Sequence, residues 1–167
     1  MPFWDEVVEE VAAEHPDVEV ERVLIDALCA RVVSAPGSLD VIVASNLFGD
    51  ILSDLGPACT GTIGIAPSAN INPTREHPSL FEPVHGSAPD IAGLGRANPI
   101  GQIWSAALML DFLGHRDAHD AIVAAVEVVL EPSNGGPRTG DLGGSASTSD
   151  VGRAIADALA SARIASR

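Results

Sequence analysis

The chain of 167 residues contains no lysine and no tyrosine, and all nine of its basic residues are arginines. It carries 23 acidic residues, so its formal net charge is −14. Nucleic acids and anionic membrane surfaces both favour a basic protein face, so this charge balance argues against either partner. No apolar run is long enough to span a bilayer, and the first residues lack the pattern of a secretory signal. We therefore expect a cytoplasmic protein.

Cysteine is also scarce. Cys29 and Cys59 are the only two, and they lack the spacing of metal ligands. This usage predicts two buried, free thiols in a reducing compartment.

Hydrophobic residues make up 46% of the chain and charged residues 19%, which is typical of a globular domain with one core.

Helices and short strands alternate along the chain, a pattern that favours an α/β sandwich with a mostly parallel sheet. Hydrophobic periodicity and capping residues predict helices over 5–14, 25–33, 46–57, 99–113, 117–130 and 148–165. Strands are predicted over 18–23, 40–44 and 80–84. A sheet of only these strands would be small for the number and length of the predicted helices. We therefore expect that another segment supplies further strands.

The segment Ser45–Asp54 places two carboxylates, those of Asp50 and Asp54, four residues apart. In a helix both would lie on one face, where like charges repel unless a cation lies between them. Mg²⁺ takes hard oxygen ligands and suits such a pair, which Asp26 could join. The alternative is three solvated acids, two of them favourable near a helix N-terminus.

A second segment, Phe81–Pro99, combines small residues, an imidazole, carboxylates and an amide. Its glycines would let a ligand approach the backbone, and an acidic residue there could bind ribose hydroxyls. It does not contain the usual dinucleotide-binding fingerprint, so a structural loop is the alternative. A third segment, Thr139–Gly144, is compatible with a simple turn before the last helix.

Taken together, these segments resemble the carboxy-terminal half of the β-decarboxylating hydroxyacid dehydrogenases, the isocitrate/isopropylmalate dehydrogenase family. Asn46–Asp54 (NLFGDILSD) and His85–Gly93 (HGSAPDIAG) are highly specific to it. Ile65–Pro73 (IAPSANINP) is most similar to the tartrate and D-malate dehydrogenase branch. The resemblance implies an α/β sandwich with an incomplete sheet, the carboxy-terminal half of the isopropylmalate dehydrogenase-like fold. It implies that residues 1–60 end the interface (dimerisation) domain and residues 61–167 the nucleotide-binding domain.

The resemblance also implies the ligands of two cofactors. Asp26, Asp50 and Asp54 match the aspartates that bind Mg²⁺ or Mn²⁺, and the residue matching Asp26 reaches across the dimer in the family. The positions matching the NAD-binding loop are Glu82, His85, Gly86, Ser87, Ala88, Asp90, Ile91 and Asn98. Asp90 and Ile91 fit the NAD-preferring pattern. Arg96 departs from the aliphatic residue common in that branch.

The implied activity is NAD-dependent oxidation, with decarboxylation, of a small 2-hydroxy acid such as tartrate or D-malate. The family's catalytic lysine and tyrosine have no counterpart here, so no catalytic residue is assigned. We therefore expect a fragment, inactive alone, that forms a homodimer or pairs with an amino-terminal half. The alternatives are a non-catalytic dimerisation or complementation module, and a fragment of an isopropylmalate dehydrogenase.

Overall fold

A computed structural model of the protein describes residues 2–165. Its six α-helices are α1 (Pro2–Glu14), α2 (Ile25–Ser34), α3 (Asn46–Thr60), α4 (Ile100–Phe112), α5 (Arg116–Leu130) and α6 (Thr148–Ala165). Two strands, β1 (Pro67–Asn70) and β2 (Leu80–Pro83), form one small sheet. Short 3₁₀ turns lie at Pro36–Ser38, Ile63–Ile65, Pro132–Asn134 and Gly140–Leu142. The fold is therefore helix-rich α/β with an incomplete sheet, as the sequence predicted.

The chain divides into two compact units between Ile42 and Val43. The first unit contains α1 and α2. The predicted amphipathic helix forms as α1, yet none of its residues is buried, and the side chains of Val7 and Val11 are exposed. Ion pairs from Arg22 to Asp5, at 2.8 Å, and from Arg31 to Glu21, at 2.6 Å, contribute to this unit.

Two predicted strands are absent among the described residues. Segments 18–23 and 40–44 carry no strand pairing, so these two predictions are wrong for the chain as described. Alternating or β-branched residues favour an extended backbone, but a strand also needs a neighbour to hydrogen-bond with. Val41, at 82% exposure, shows how little of this segment is covered.

The second unit has its core where α4, α5 and α6 pack together. The buried side chains of this core are Ile100, Ala125, Val126, Val129, Val151 and Ile155. The β1–β2 hairpin packs against α4, with Pro67 opposite Pro83 and Asn70 opposite Leu80.

The pairing in this hairpin is antiparallel, which corrects the expectation of a mostly parallel sheet. The link between β1 and β2 spans only residues 71–79 and contains no helix. A parallel crossover needs a dozen or more residues, usually with a helix, so this link permits only an antiparallel hairpin.

Local capping and helix length follow the sequence closely at one helix and less closely at another. At the start of α6, Ser147 and Asp150 form a reciprocal capping box through both side chains and backbone N–H groups. Helix α3 runs through Pro57 to Thr60, beyond its predicted end near Gly56 and Pro57.

Within residues 2–165, no helix combines the length and the hydropathy that a transmembrane span needs.

The thiols of Cys29 and Cys59 are free, as predicted. Cys29 is half-buried and Cys59 is exposed, so the expectation that both are buried is wrong. Cys59 lies in the last turn of α3, where the helix surface faces solvent.

Candidate cofactor and metal site

Helix α3 carries the first pair of candidate metal ligands. Asp50 and Asp54 lie one turn apart on it, and both residues are exposed. The Asn46 side-chain amide donates to Asp50 Oδ2 at 3.1 Å. Neither acid lies in the first turn of α3, so the alternative in which they stabilise the helix N-terminus is not supported. The exposed face of α3 thus offers two carboxylates to solvent.

The third candidate ligand, Asp26, belongs to the other unit, in the first turn of α2. It is exposed, and its Oδ1 accepts from the Ala27 N–H at 2.9 Å. A solvated carboxylate at a helix N-terminus needs no buried partner. Within the part of the single chain that the structure describes, no three His, Cys, Asp or Glu side chains cluster as a metal site. The assignment of Asp26, Asp50 and Asp54, expected to meet across a dimer, stays a prediction.

The candidate cofactor loop, residues 84–99, lies between the end of β2 and the start of α4. Glu82 lies in β2, and Gly86, Ser87, Ala88 and Asp90 are exposed. His85 and Ile91 are half-buried, and the His85 imidazole Nδ1 lies 2.9 Å from the Gly86 carbonyl.

The backbone of this loop turns sharply. Gly93 and Gly95 have positive φ angles of 76° and 66°, and Ala88 adopts a φ of 41°. A positive φ is uncommon for a residue with a Cβ, and such conformations concentrate at ligand sites. Gly86, Gly93 and Gly95 are exposed, so the loop presents their backbone groups, together with the exposed Asp90, to solvent.

Asn98, at the end of the loop, is only 8% exposed and uses both ends of its side-chain amide. Its Oδ1 accepts from the Ile100 N–H at 3.0 Å, which satisfies an otherwise unpaired donor at the start of α4. Its Nδ2 donates to Asp141 Oδ2 at 3.0 Å. The sequence predicted Asn98 as a cofactor ligand, and the structure gives its side chain these partners within the fold.

Asp141 joins Asn98 to two threonines from distant segments. Its Oδ2 also accepts from the Thr62 hydroxyl at 2.8 Å, and its Oδ1 accepts from the Thr139 hydroxyl at 2.5 Å. Partial burial opposes ionisation of Asp141, but the hydrogen bonds from Thr139, Asn98 and Thr62 outweigh it and lower the pKa of the carboxyl group. We call Thr62, Asn98, Thr139 and Asp141 the polar node.

Sequence reasoning assigned Thr139–Gly144 only a turn and gave Thr62 no role. The turn prediction is confirmed, since Gly140–Leu142 is a 3₁₀ turn. The one signal in the sequence was an aspartate between small residues, which could not reveal its partners. The polar node is therefore a feature that only the fold brings together.

The start of α6 also contacts the candidate cofactor loop. The Thr148 N–H donates to the Gly95 carbonyl at 2.8 Å, and its hydroxyl donates to the Ala97 carbonyl at 2.5 Å. Next to these contacts, a cavity of about 140 Å³ is lined by Arg96, Gly140, Gly144, Ser145 and Ala146. The carboxy-terminal end of the loop is thus fixed on two sides, by the polar node and by α6.

Comparison with known proteins gives a consistent assignment. The family model described as isocitrate/isopropylmalate dehydrogenase matches residues 1–155. The chain is 60% identical, over 160 residues, to the decarboxylating D-malate dehydrogenase of Escherichia coli, covering 93% of the chain and 44% of that enzyme. It is also 60% identical to a tartrate dehydrogenase/decarboxylase of Pseudomonas putida, covering 96% of the chain and 45% of that protein.

A solved structure supports the fold. The crystal structure of isocitrate dehydrogenase from Methylococcus capsulatus superposes with a TM-score of 0.82 at 40% identity, covering 92% of this chain and 44% of that one. The chain therefore spans a little under half the length of the curated relatives that it matches.

Proposed function

Because the chain belongs to the isocitrate/isopropylmalate dehydrogenase family, we propose that it forms the metal- and cofactor-binding part of a decarboxylating 2-hydroxy acid dehydrogenase. The proposed enzyme uses NAD with Mg²⁺ or Mn²⁺ and acts on a small 2-hydroxy acid such as tartrate or D-malate. The observation that carries the substrate class is the 60% identity to relatives named for those two substrates. In this proposal, residues 1–60 belong to the interface domain and residues 61–167 to the nucleotide-binding domain.

The residues on α3 fit a hard divalent cation. Asp50 and Asp54 are exposed, lie one turn apart and offer only carboxylate oxygens, which are the ligands that Mg²⁺ and Mn²⁺ prefer. Asp26 of a second copy is the proposed third ligand. When bound, such an ion stabilises negative charge on substrate oxygens during hydride transfer and decarboxylation. The contribution of this chain is to hold the carboxylates on a rigid helix.

The loop after β2 fits a dinucleotide. Gly86, Ser87 and Ala88 are exposed, and the carboxylate of the exposed Asp90 could accept a hydrogen bond from a ribose hydroxyl. The same negative charge repels a 2′-phosphate, which is the basis for proposing NAD rather than NADP.

Proton transfer requires groups that this chain does not contain. The family's lysine and tyrosine have no equivalent by residue type, because the chain has neither. A positioned acid or base typically contributes about 10²–10⁴-fold to the rate. We therefore expect the 167-residue chain alone to produce negligible NADH from D-malate or tartrate in the presence of Mn²⁺.

A chimera tests the proposal most directly. The amino-terminal part of the Pseudomonas putida relative would be joined to this chain, and NADH formation would be followed at saturating Mn²⁺. We expect the chimera to oxidise tartrate or D-malate, and the matched Asp50→Asn and Asp54→Asn chimeras to lose that activity. A folded chimera that is inactive, or fast turnover by the chain alone, would contradict the proposal.

A second candidate function is a non-catalytic module that dimerises or complements a separate amino-terminal half. The observation in its favour lies in the first unit, where large apolar side chains are exposed to solvent. Phe3, Leu24 and Val41 are 77%, 70% and 82% exposed. Exposed apolar side chains of this kind are a feature of interaction sites when they form a contiguous patch. Sedimentation velocity of the chain tests whether it dimerises. A monodisperse monomer would exclude self-association.

A further inference from the structure

The polar node connects the candidate cofactor loop to parts of the chain that lie far from it in sequence. Asp141 accepts a hydrogen bond from Thr62, 79 residues away, and another from Asn98, 43 residues away. Thr62 and Asn98 are each 8% exposed, and Thr139 is fully buried. One carboxylate therefore serves as the common acceptor for three donors that are withdrawn from water.

The node determines how Asn98 can be oriented. With its Nδ2 held by Asp141, the Oδ1 of Asn98 points to the Ile100 N–H at the start of α4. If the amide rotated, its NH₂ group would face the Ile100 N–H, and a donor would face a donor. Asp141 thus fixes the amide orientation, and with it the point where the loop joins α4.

The space around the node is filled. A Cβ atom at Gly64 would lie 2.8 Å from Asp141 Oδ2 and 3.0 Å from Asn98 Cβ. Only glycine allows the backbone to approach the carboxylate this closely. The position of the carboxylate is thus set by packing as well as by its hydrogen bonds.

We propose that Asp141 is a positioning residue for cofactor binding: its carboxylate, by holding Asn98, fixes the carboxy-terminal end of the loop that binds the dinucleotide. This inference rests on the proposed function, because the loop must bind NAD for the positioning to matter. Asp141 itself acts through Asn98.

Substitution at Asp141 tests the proposal by calorimetry with NAD on the full chain. We expect Asp141→Ala to raise the Kd for NAD about tenfold or more, since hydrogen bonds to a charged acceptor are among the stronger ones in proteins. Asp141→Asn keeps one acceptor oxygen for Thr62 and Asn98, so its Kd should stay within about threefold of the parent value. An Asn variant as weak as the Ala variant would overturn positioning by hydrogen bonding.

Two controls separate positioning from a general loss of stability. Asp120→Ala removes an exposed carboxylate of α5 that pairs with Arg116 and His119, and it should leave the Kd unchanged. Val129→Ala weakens the core of α5 and should lower the Tm but not NAD affinity. An equal loss of affinity in Val129→Ala, or unchanged affinity in Asp141→Ala, would refute the proposal. If Asp141→Ala does not fold, Gly64→Ala displaces the same carboxylate and should raise the Kd.

Hydrogen exchange at the Ile100 amide tests the positioning role without requiring NAD, so it separates this inference from the proposed function. In Asp141→Ala, the Ile100 amide should exchange about tenfold faster, because its acceptor is no longer held in place, whereas amides of the α5 core should not change. If the parent chain does not bind NAD, the cofactor proposal fails for this chain, and exchange alone decides whether Asp141 positions Asn98. Unchanged exchange at Ile100 would overturn the positioning role.

Discussion

Gly101 of α4 provides a sharp test of the packing that places the candidate cofactor loop. The residue is buried near the start of the helix, where α4 packs against the hairpin and the turn at Ile63–Ile65. A Cβ at this position would lie 2.9 Å from the Gly64 carbonyl oxygen and 3.3 Å from Pro83 Cβ. These neighbours are a backbone atom and a ring atom, so neither can rotate away.

Two opposing effects determine the size of the change. Alanine in place of glycine inside a helix gains about 1 kcal/mol of intrinsic stability. Forcing a methyl group into a filled space costs about 1–3 kcal/mol, and a contact with rigid backbone belongs at the upper end. We therefore expect Gly101→Ala to reduce the free energy of unfolding by about 1–2 kcal/mol. For a chain of this size, this corresponds to a Tm lower by about 3–6 °C.

The matched control is Gly152→Ala in α6. A Cβ at Gly152 meets no atom within 4 Å, so only the gain in helix propensity remains. The expected change is about 0.5–1 kcal/mol of added stability. Thermal unfolding followed by circular dichroism measures both variants against the parent chain. A Gly101→Ala variant as stable as the parent, or stabilised in parallel with Gly152→Ala, would refute the close approach of α4 to the hairpin.

Three further predictions follow from other parts of the molecule. Val129→Ala removes buried methyl groups from the α5 core and should cost about 2 kcal/mol in chemical denaturation; no measurable loss would contradict the burial of that side chain. Hydrogen bonds from Ser147 hold the pKa of Asp150 below its usual value, so Asp150 stabilises the fold above the unfolded pKa of about 3.9 and loses this effect as the pH falls through its folded value. Asp150→Ala should therefore lower the Tm at pH 7 but not in strong acid, and a difference that persists in acid would exclude the charged cap. Asp50→Asn combined with Asp54→Asn should abolish Mn²⁺ binding in calorimetry, whereas Asp120→Asn should retain it; equal Mn²⁺ affinity in all variants would exclude the α3 carboxylates as ligands.

Helices were the most predictable part of the fold because their signals are local. The predicted helix over 25–33 is found at Ile25–Ser34, and the one over 99–113 at Ile100–Phe112. Their residues are close in sequence, and each hydrogen bond joins groups four residues apart. The cap of α6 is local in the same way, since Ser147 and Asp150 are neighbours on one turn.

Strands and partners were less predictable because they depend on distant segments. The extended segments at 18–23 and 40–44 have the composition of strands, yet no strand pairs with them in the described chain. The antiparallel arrangement of β1 and β2 also depended on their connection rather than on the residues of either strand.

The sequence by itself determined the family, through two short motifs, whereas its assignment of metal and cofactor ligands along the chain stays a prediction. Only the tertiary structure showed that Thr62, Asn98, Thr139 and Asp141 share one set of hydrogen bonds, and that Gly64 and Gly101 lie where a side chain would collide with its neighbours. The physical reason is the separation along the chain of the residues involved. A motif or a helix is specified by residues that are adjacent along the chain, whereas a shared acceptor or a close backbone approach exists only after folding brings distant segments together.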